Sequence, residues 1–425
     1  MVRLEGIARE TCVARCLYHQ QIVQAAQSRS TLSTPAGIII HASPGPSNAS
    51  LSAARVTPAP SLFLPEANCT FGLAPKHVCS GRVSGVHEWA GPEAGTATTT
   101  VVFLHATGFH SRVWDGTVAA LQRRLGARAV RCLAVDLLGH GRSSKPTAKA
   151  PADWAGAAAD AVEAVAGVGV VSAVWVGHSG GGWCALQAAC TSRPGAVIGL
   201  ALIDPVVNFE NARRFAALPP EERGAFWERF NTIERRFNGF VDAATMQKRF
   251  LSRSPFSTWD PRCLADYCDT ALLGRAELAR LVVPPPPPQG GAVDDDALLD
   301  LIGVPRSSEL PLACPPMLEQ RWYQGGVAAP SQTLLERLEH LTIPTVVLLA
   351  EDLPRGASSG TFLGSPTDPA LLDMLPGLLP EISGKCKGLN HFMPMQKPNI
   401  VAEKIEQCCL AAAAGHQPHT TAAKL

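Results

Sequence analysis

Five short apolar runs, separated by segments with helical patterning, constrain the fold of this chain most. The runs are rich in Val, Leu and Ile, and their apolar residues do not alternate with polar ones. They are VVFLH (101–105), VRCLAVD (130–136), VSAVWVG (171–177), VIGLALID (197–204) and TVVLLA (345–350). Strands buried on both faces have this composition, and they are typical of parallel sheets. Helical segments lie between them at 114–125, 153–166 and 180–191. The alternation predicts an α/β fold with a doubly wound, mostly parallel sheet and right-handed crossovers.

The composition narrows the class of protein. The chain has 425 residues, 46% hydrophobic and 17% charged, which suffices for one large domain with tails and insertions. The net charge of +1 argues against a nucleic-acid partner, and no apolar run is long enough for a transmembrane segment. The 13 cysteines are scattered, without metal-ligand spacing. We interpret them as reduced thiols and predict neither a metal site nor a cofactor.

Both ends of the chain differ from the middle. Residues 1–80 are rich in Ser, Ala, Pro and Thr, contain only three carboxylates and carry arginines along their length. This composition is typical of a transit peptide, but a disordered tail has it too, so a chloroplast, a mitochondrion and the cytoplasm all stay open as locations. We also predict a disordered tail at 416–425.

The strand pattern stops between the two parts of the predicted core, 81–205 and 341–415. Residues 206–340 contain helical stretches rich in Arg and Phe and no convincing buried strand. Within them, VVPPPPPQGGAVDDD (282–296) predicts a stiff proline spacer in a solvated loop. We therefore predict a helical lid with a Pro-rich insertion.

The pentapeptide GHSGG (177–181) follows a predicted strand and precedes a predicted helix. A G-x-S-x-G sequence in that context forms a tight turn that exposes the serine hydroxyl, and small residues at 177 and 181 let the strand and helix approach. The context favours Ser179 as a nucleophile over a serine in an ordinary polar loop.

A second loop, HATGF (105–109), follows the first long strand. Its position predicts an oxyanion hole made by the backbone amides of Thr107 and Gly180. We interpret His105 as a structural histidine that braces this loop, rather than a group that transfers protons. Asp136, His140 and Arg142, in the turn after the next strand, are also expected to hold loops together.

His391 lies late in the chain, in GLNHFMP (388–394), between a predicted strand near 382–388 and a helix that begins near Pro398. A base in that position satisfies the chain order of nucleophile, acid and histidine found with nucleophile elbows. We predict that His391 is the general base.

These motifs together resemble the α/β-hydrolase fold, over roughly residues 82–412. The resemblance implies a helical lid at 206–340, a serine nucleophile at Ser179, a base at His391 and oxyanion donors at Thr107 and Gly180. HATGFHSRVW, ALIDPVV, SPFSTWD and ACPP are similar to a group of mostly uncharacterised hydrolases. The closer likeness therefore implies fold and mechanism rather than substrate.

The chain departs from this family at the third catalytic residue. The family's acid usually follows the strand TVVLLA, but AEDL (350–353) places Leu353 at that position, with Asp352 one residue early and Glu351 two. The other position that the fold uses is the end of LALIDPVV, which offers Asp204. A carboxylate at the end of a buried strand is costly without a partner. We favour Asp204 over the alternative acid Asp352.

The predicted function is that of a serine hydrolase that acts on a carboxylic ester, a thioester or a related acyl compound. Aromatic residues of the lid would form an apolar wall for a small-molecule acyl substrate. Acyl transfer to an alcohol and carbon–carbon bond hydrolysis could use the same residues. A small-molecule receptor on this fold is an alternative of another class, whereas an intact set of site residues disfavours an inactive scaffold. The sequence predicts no oligomeric state.

Overall fold

The structure is a computed structural model. It describes residues 77–79, 82–91, 97, 99–127, 129–219, 221–224, 230, 232–283, 294–307, 309–328, 332–351 and 365–415. The predictions for residues 1–76, for residues 284–293 of the Pro-rich insertion and for the tail at 416–425 lie outside these residues. Within the described part of the chain, no helix is both long enough and apolar enough to cross a membrane.

A seven-stranded sheet forms the centre of the described region. Its strands, in chain order, are β3 (Val86–Glu88), β4 (Thr99–Leu104), β5 (Val130–Val135), β7 (Ala173–His178), β8 (Val197–Ile203), β12 (Thr345–Ala350) and β13 (Gly384–Cys386). They are arranged in the order β13-β12-β8-β7-β4-β5-β3. All neighbouring pairs are parallel except β3, which runs antiparallel to β5 at one edge. The mostly parallel sheet and the α/β fold class predicted from the sequence are confirmed.

The strands are buried because helices cover both faces of the sheet. The helices of the core are α1 (Asp115–Leu125), α2 (Trp154–Gly167), α3 (Gly180–Thr191), α11 (Met393–Gln396) and α12 (Pro398–Ala413). Alternate residues of β4 point to opposite faces. Val101 and Phe103 pack into the apolar cluster that includes α1 and α12, and Val102 and Leu104 pack into the cluster that includes α2 and α3. This two-sided burial explains why the strands are continuously apolar.

The register of the parallel strands brings their carboxyl ends together. Leu104 is paired with Gly177, and Gly177 is paired with Leu202. The residues that follow β4, β7 and β8 therefore meet at one edge of the sheet, and the loop after β13 reaches the same edge. Ligands of open α/β sheets bind at this edge, outside the carboxyl ends of the strands.

Residues 206–340 form an inserted segment between β8 and β12 that is mainly helical in its described part. Its helices are α4 (Phe209–Ala217), α5 (Ala243–Leu251), α6 (Pro261–Thr270), α7 (Arg275–Ala279), α8 (Asp295–Asp300), α9 (Pro316–Ala328) and α10 (Gln332–Leu338). Its described strands have two residues each: β9 (Gly239–Phe240), β10 (Val282–Val283) and β11 (Leu310–Pro311).

Short strands also lie outside the main sheet in the first part of the core. β1 (His77–Cys79) pairs with β2 (Arg82–Ser84), and β6 (Lys145–Pro146) pairs with β10 of the inserted segment. β1 thus begins a few residues before position 81, the predicted start of the core. The three-residue length of β1 and β2 gives too little periodicity for a prediction from sequence.

Candidate active site

Ser179 lies at the turn between β7 and α3, as the sequence pattern predicted. Its φ of 56° and ψ of −120° are a backbone conformation that residues other than glycine rarely adopt. Glycines on either side make the turn sterically feasible. A Cβ at Gly177 would lie 2.3 Å from the carbonyl oxygen of Gly181, and a Cβ at Gly181 would lie 2.3 Å from the carbonyl oxygen of His105. The strand and the helix therefore approach more closely than any larger residue would permit.

Ser179, His391 and Asp204 are joined by two hydrogen bonds. The Ser179 Oγ lies 3.0 Å from the Nε2 of His391, and the Nδ1 of His391 lies 2.7 Å from the Oδ2 of Asp204. Ser179 and His391 are each 6% exposed, and Asp204 is fully buried. With the histidine proton on Nδ1, the imidazole donates to the carboxylate and accepts from the serine hydroxyl. This is the arrangement in which a histidine can take the serine proton.

Asp204 is held rigidly at the end of β8. Its φ of 45° is a second left-handed conformation of a non-glycine residue. Its Oδ1 accepts hydrogen bonds from the Ala350 amide at 3.1 Å, from the Thr367 hydroxyl at 3.4 Å and from the Ser365 hydroxyl. These donors leave Oδ2 for His391 and satisfy a carboxylate that would otherwise be costly to bury.

Of the other two acidic residues considered for this position, the structure describes Glu351 but not Asp352. Asp352, the alternative acid, and Leu353 lie outside the described residues. Glu351 is described, and its Oε2 accepts a hydrogen bond from the Gly388 amide at 2.7 Å. That contact supports the turn that leads to His391.

His178, the residue between Gly177 and Ser179, contacts His391 directly. Its Nε2 lies 2.7 Å from the carbonyl oxygen of His391, so this nitrogen is the donor, and the two rings are 5.0 Å apart. Burial, together with the neighbouring His391, lowers the pKa of His178 well below its usual range. His178 is therefore neutral, and it fixes the backbone of His391 without placing a positive charge beside the imidazole. The sequence pattern gave no signal for this role, because the position between Gly and Ser accepts many residue types.

The loop after β4 lies beside the serine. A Cβ on Gly180 would come within 2.8 Å of the Thr107 hydroxyl, so these two residues are immediate neighbours. Thr107 and Ser179 line the same cavity. The amides of Thr107 and Gly180 thus belong to segments that meet beside Ser179.

Buried polar groups hold that loop in place. His105 is fully buried, with Nδ1 2.8 Å from the carbonyl oxygen of Ala106 and Nε2 3.0 Å from the Leu137 amide. The Gly108 amide donates to His140 Nε2 at 3.0 Å. Burial lowers the pKa of both histidines, so they are neutral. These contacts agree with the bracing roles expected for His105 and His140.

The turn after β5 is braced in the same way. Asp136 accepts from the Ser111 amide at 2.7 Å and from the Arg142 amide at 2.8 Å. The Arg142 side chain reaches outward to Glu277 at 3.0 Å. Asp136 and Arg142 thus connect neighbouring loops, as expected, and they do not line the cavity.

A cavity of about 840 Å³ opens onto Ser179 and His391. The core contributes Thr107, Phe109 and Phe392 to its wall, and the inserted segment faces them with a group of aromatic side chains. These are Phe230, Phe237, Phe240, Phe250, Phe256, Tyr267 and Tyr323.

Two other aromatic residues of the inserted segment, Phe215 and Trp259, are buried in packing clusters and do not line the cavity. Phe226 and Trp227 lie outside the described residues. No group of three His, Cys, Asp or Glu side chains in the described ranges is arranged to hold a metal ion.

The sequence and the fold are similar to those of known hydrolases. A profile of the alpha/beta hydrolase family matches residues 101–403, well over half of the chain. A search of curated proteins gave no match.

Similar solved structures include the peroxisomal alpha-beta-hydrolase Lpx1 of Saccharomyces cerevisiae, with 17% identity, a TM-score of 0.54, and coverage of 84% of this chain and 90% of that one. A thioesterase domain from the curacin biosynthetic pathway has 15% identity, a TM-score of 0.52, and coverage of 77% and 96%. E-2-(acetamidomethylene)succinate hydrolase has 18% identity, a TM-score of 0.50, and coverage of 77% and 96%. At these identities the likeness concerns the fold alone.

Proposed function

Because the chain belongs to the alpha/beta hydrolase family, we propose that it is a serine hydrolase that forms an acyl-enzyme on Ser179. Its substrate is a carboxylic ester, a thioester or a related acyl compound. The observation that carries the proposal is the hydrogen-bonded chain from Ser179 through His391 to Asp204 at the base of a cavity. A nucleophile, a base and a group that orients the base are what acyl transfer requires.

In the first half of the reaction, His391 Nε2 takes the proton of Ser179 while Oγ attacks the substrate carbonyl. The Oδ2 of Asp204 accepts from Nδ1, holds the tautomer and stabilises the imidazolium. The amides of Thr107 and Gly180 donate to the oxyanion. Nε2 then returns the proton to the leaving alcohol or thiol, and the acyl-enzyme remains.

In the second half, His391 takes a proton from water, and the resulting hydroxide attacks the acyl carbonyl. The carbon–oxygen bond to Ser179 breaks, Oγ regains a proton from Nε2, and the carboxylic acid leaves. The neutrality of His178 matters in both halves, since a second cation in this buried place would oppose the imidazolium.

The aromatic wall of the cavity supports an apolar acyl or alcohol chain of medium size as part of the substrate. We extend the proposal to a lid role for residues 206–340, because their side chains form the wall opposite the nucleophile. Acyl transfer to an alcohol would use the same residues with a different acceptor. A small-molecule receptor on this fold can keep the same three residues, so repeated turnover is the observation that distinguishes a hydrolase from a receptor.

Turnover of p-nitrophenyl esters tests the proposal. The wild-type protein should release many equivalents of p-nitrophenol, and Ser179→Ala should release none above background. Ser192→Ala, at the other end of α3, is a matched control and should keep wild-type activity. One equivalent of product or less from the wild type would favour a receptor, and full activity in Ser179→Ala would overturn the mechanism.

A further inference from the structure

The charged side chains that line the cavity are almost all positive. They are Arg235, Arg236, Arg249, Arg253 and Glu319, together with the base His391. The chain as a whole has a net charge of only +1. The wall formed by the inserted segment is therefore locally cationic although the protein is close to neutral, and such a concentration of one sign in a cleft attracts ions of the other.

Only one of these arginines has a carboxylate partner in the described part of the chain. Arg236 forms an ion pair with Glu319 at 2.5 Å. Arg235, Arg249 and Arg253 form no ion pair with any described acidic residue. Arg235 and Arg253 are exposed, and Arg249 is partly buried. We name these three residues the arginine triplet.

Two members of the triplet are close in sequence. Arg249 lies in the last turn of α5, and Arg253 follows the end of that helix by two residues. The helix C-terminus favours a cation at Arg249. It does not account for Arg235, which comes from a different part of the inserted segment.

Aromatic contacts hold one guanidinium without neutralising it. The Arg249 Cζ lies 4.4 Å from the centre of the Phe237 ring. A cation above an aromatic face keeps its charge and its N–H donors. Phe237 and Phe250 line the same cavity as Arg249. The wall thus combines an apolar surface with donors suited to an anionic oxygen pair.

We propose that the substrate carries an anionic group, a carboxylate or a phosphate, at the far end of an apolar chain from the scissile carbonyl, and that the arginine triplet binds this group. The proposal rests on the hydrolase function proposed above. It narrows the substrate from an apolar acyl compound to one with an apolar middle and a charged end.

The first experiment compares p-nitrophenyl monoesters of adipic, pimelic and suberic acids with their ω-methyl esters, which have the same backbone and no charge. The ratio of kcat/KM for the anionic ester to that for the neutral ester should exceed about 10 for at least one length, and it should fall as salt rises. The p-nitrophenyl ester of 6-phosphonooxyhexanoate distinguishes a phosphate from a carboxylate preference. A ratio of one or less for all anionic esters would overturn the proposal.

The second experiment changes the triplet. Arg235→Gln, Arg249→Gln and Arg253→Gln should each lower the ratio a few-fold, as expected for charge pairs near a surface, and the triple variant should bring the ratio to about one. Arg213→Gln, an exposed arginine of α4 that does not line the cavity, should leave the ratio unchanged. An unchanged ratio in the triple variant would contradict the proposal even if the enzyme hydrolyses both esters.

A binding measurement separates this proposal from the hydrolase function. Suberate binding to Ser179→Ala, measured by calorimetry, needs no turnover, so it reports on the triplet even if neither ester is cleaved. The dissociation constant should rise roughly 100-fold when the triple arginine substitution is added. Equal suberate affinity with and without the triplet would overturn the proposal independently of any activity.

Discussion

The two walls of the cavity are built in different ways. The wall from the sheet side carries Ser179 and His391, and Asp204 lies buried behind His391; hydrogen bonds join the three side chains. The wall from the inserted segment carries aromatic rings and the arginine triplet, which forms no ion pair with any described acidic residue.

The difference indicates which side chains need exact positions and which can adapt to different substrates. Reacting groups must be held within a fraction of an ångström, and the residues that we propose to react are held by hydrogen bonds at or just after the ends of strands. A wall that binds an apolar chain needs only a complementary shape and charges in roughly the right places. Its side chains can therefore be held by fewer contacts. We therefore expect substitutions in the sheet-side wall to reduce the rate of chemistry, and substitutions in the inserted segment to change the choice of substrate.

The largest effect is expected at the acid. Asp204→Asn should lower kcat roughly 10⁴-fold, because an amide in this place favours the wrong tautomer of the imidazole. Asp352→Asn, measured in the same steady-state assay, should cost far less. A large loss at Asp352 with near-normal activity at Asp204 would reverse the assignment of the acid. Glu351→Gln, which keeps a hydrogen-bond acceptor for Gly388, serves as the control in the same loop.

A pH-dependent effect on stability is expected at Lys145. Its ammonium group is fully buried, donates to the carbonyl oxygens of Gly141 and Ser143, and burial lowers its pKa to about 7. Above that pH the unfolded chain retains a proton that the folded chain has released, so this group makes the free energy of unfolding rise with pH from about 7 to 10.5.

Urea unfolding of the wild type and of Lys145→Met at pH 6 and pH 8.5 tests this expectation. The wild type should gain about 2 kcal/mol over that interval relative to the variant, since one pKa unit corresponds to about 1.4 kcal/mol. Parallel pH dependence of the two proteins would show that Lys145 titrates normally. Lys145 supports the turn that includes His140. The measurement therefore also reports how much the burial of this lysine changes the free energy of unfolding.

A smaller effect is expected at His178. His178→Phe keeps a ring between Trp114 and Phe392 but removes the donor to the carbonyl oxygen of His391. We expect kcat to fall about fivefold with little change in KM, because an ordinary hydrogen bond contributes about 1 kcal/mol and here it positions the base. His87→Phe, a histidine on β3 away from the site, should leave kcat unchanged. A change in KM alone would place His178 in substrate binding instead.

The smallest effect is expected in the inserted segment. Phe250 lies flat against Phe256, with ring centres 4.0 Å apart, and both line the cavity. Phe250→Ala should shift the preferred acyl chain length of p-nitrophenyl esters and change individual kcat/KM values only a few-fold, as one lost apolar contact among many. Leu251→Ala, an exposed neighbour on the same helix, should give the wild-type length profile. A loss of more than 100-fold for every length would mean that this wall takes part in the chemistry.

The sequence predicted the sheet well, because its strands are buried on both faces and so are apolar throughout. VRCLAVD and TVVLLA, for example, correspond to β5 and β12 almost residue for residue. The edge strand β3 was not predicted, since three residues with one exposed face carry little periodicity.

Candidate residues could be proposed from the sequence where a local motif exists. The flanking glycines indicated Ser179, and a carboxylate at the end of an apolar strand made Asp204 a candidate beside Asp352. The residues that hold Asp204 in place could not be predicted from the sequence. Ser365 and Thr367 reach Asp204 from more than 160 positions along the chain, and such long-range contacts leave no pattern in a single sequence.

Covalent labelling tests the central claim that the sheet-side wall carries a nucleophile activated by His391 and Asp204. The wild-type protein should react with a fluorophosphonate in one-to-one stoichiometry, and mass spectrometry of the digested protein should locate the adduct on Ser179. Asp204→Asn should react much more slowly at the same residue. An adduct on another residue, or equally fast labelling of the wild type and Asp204→Asn, would contradict the account.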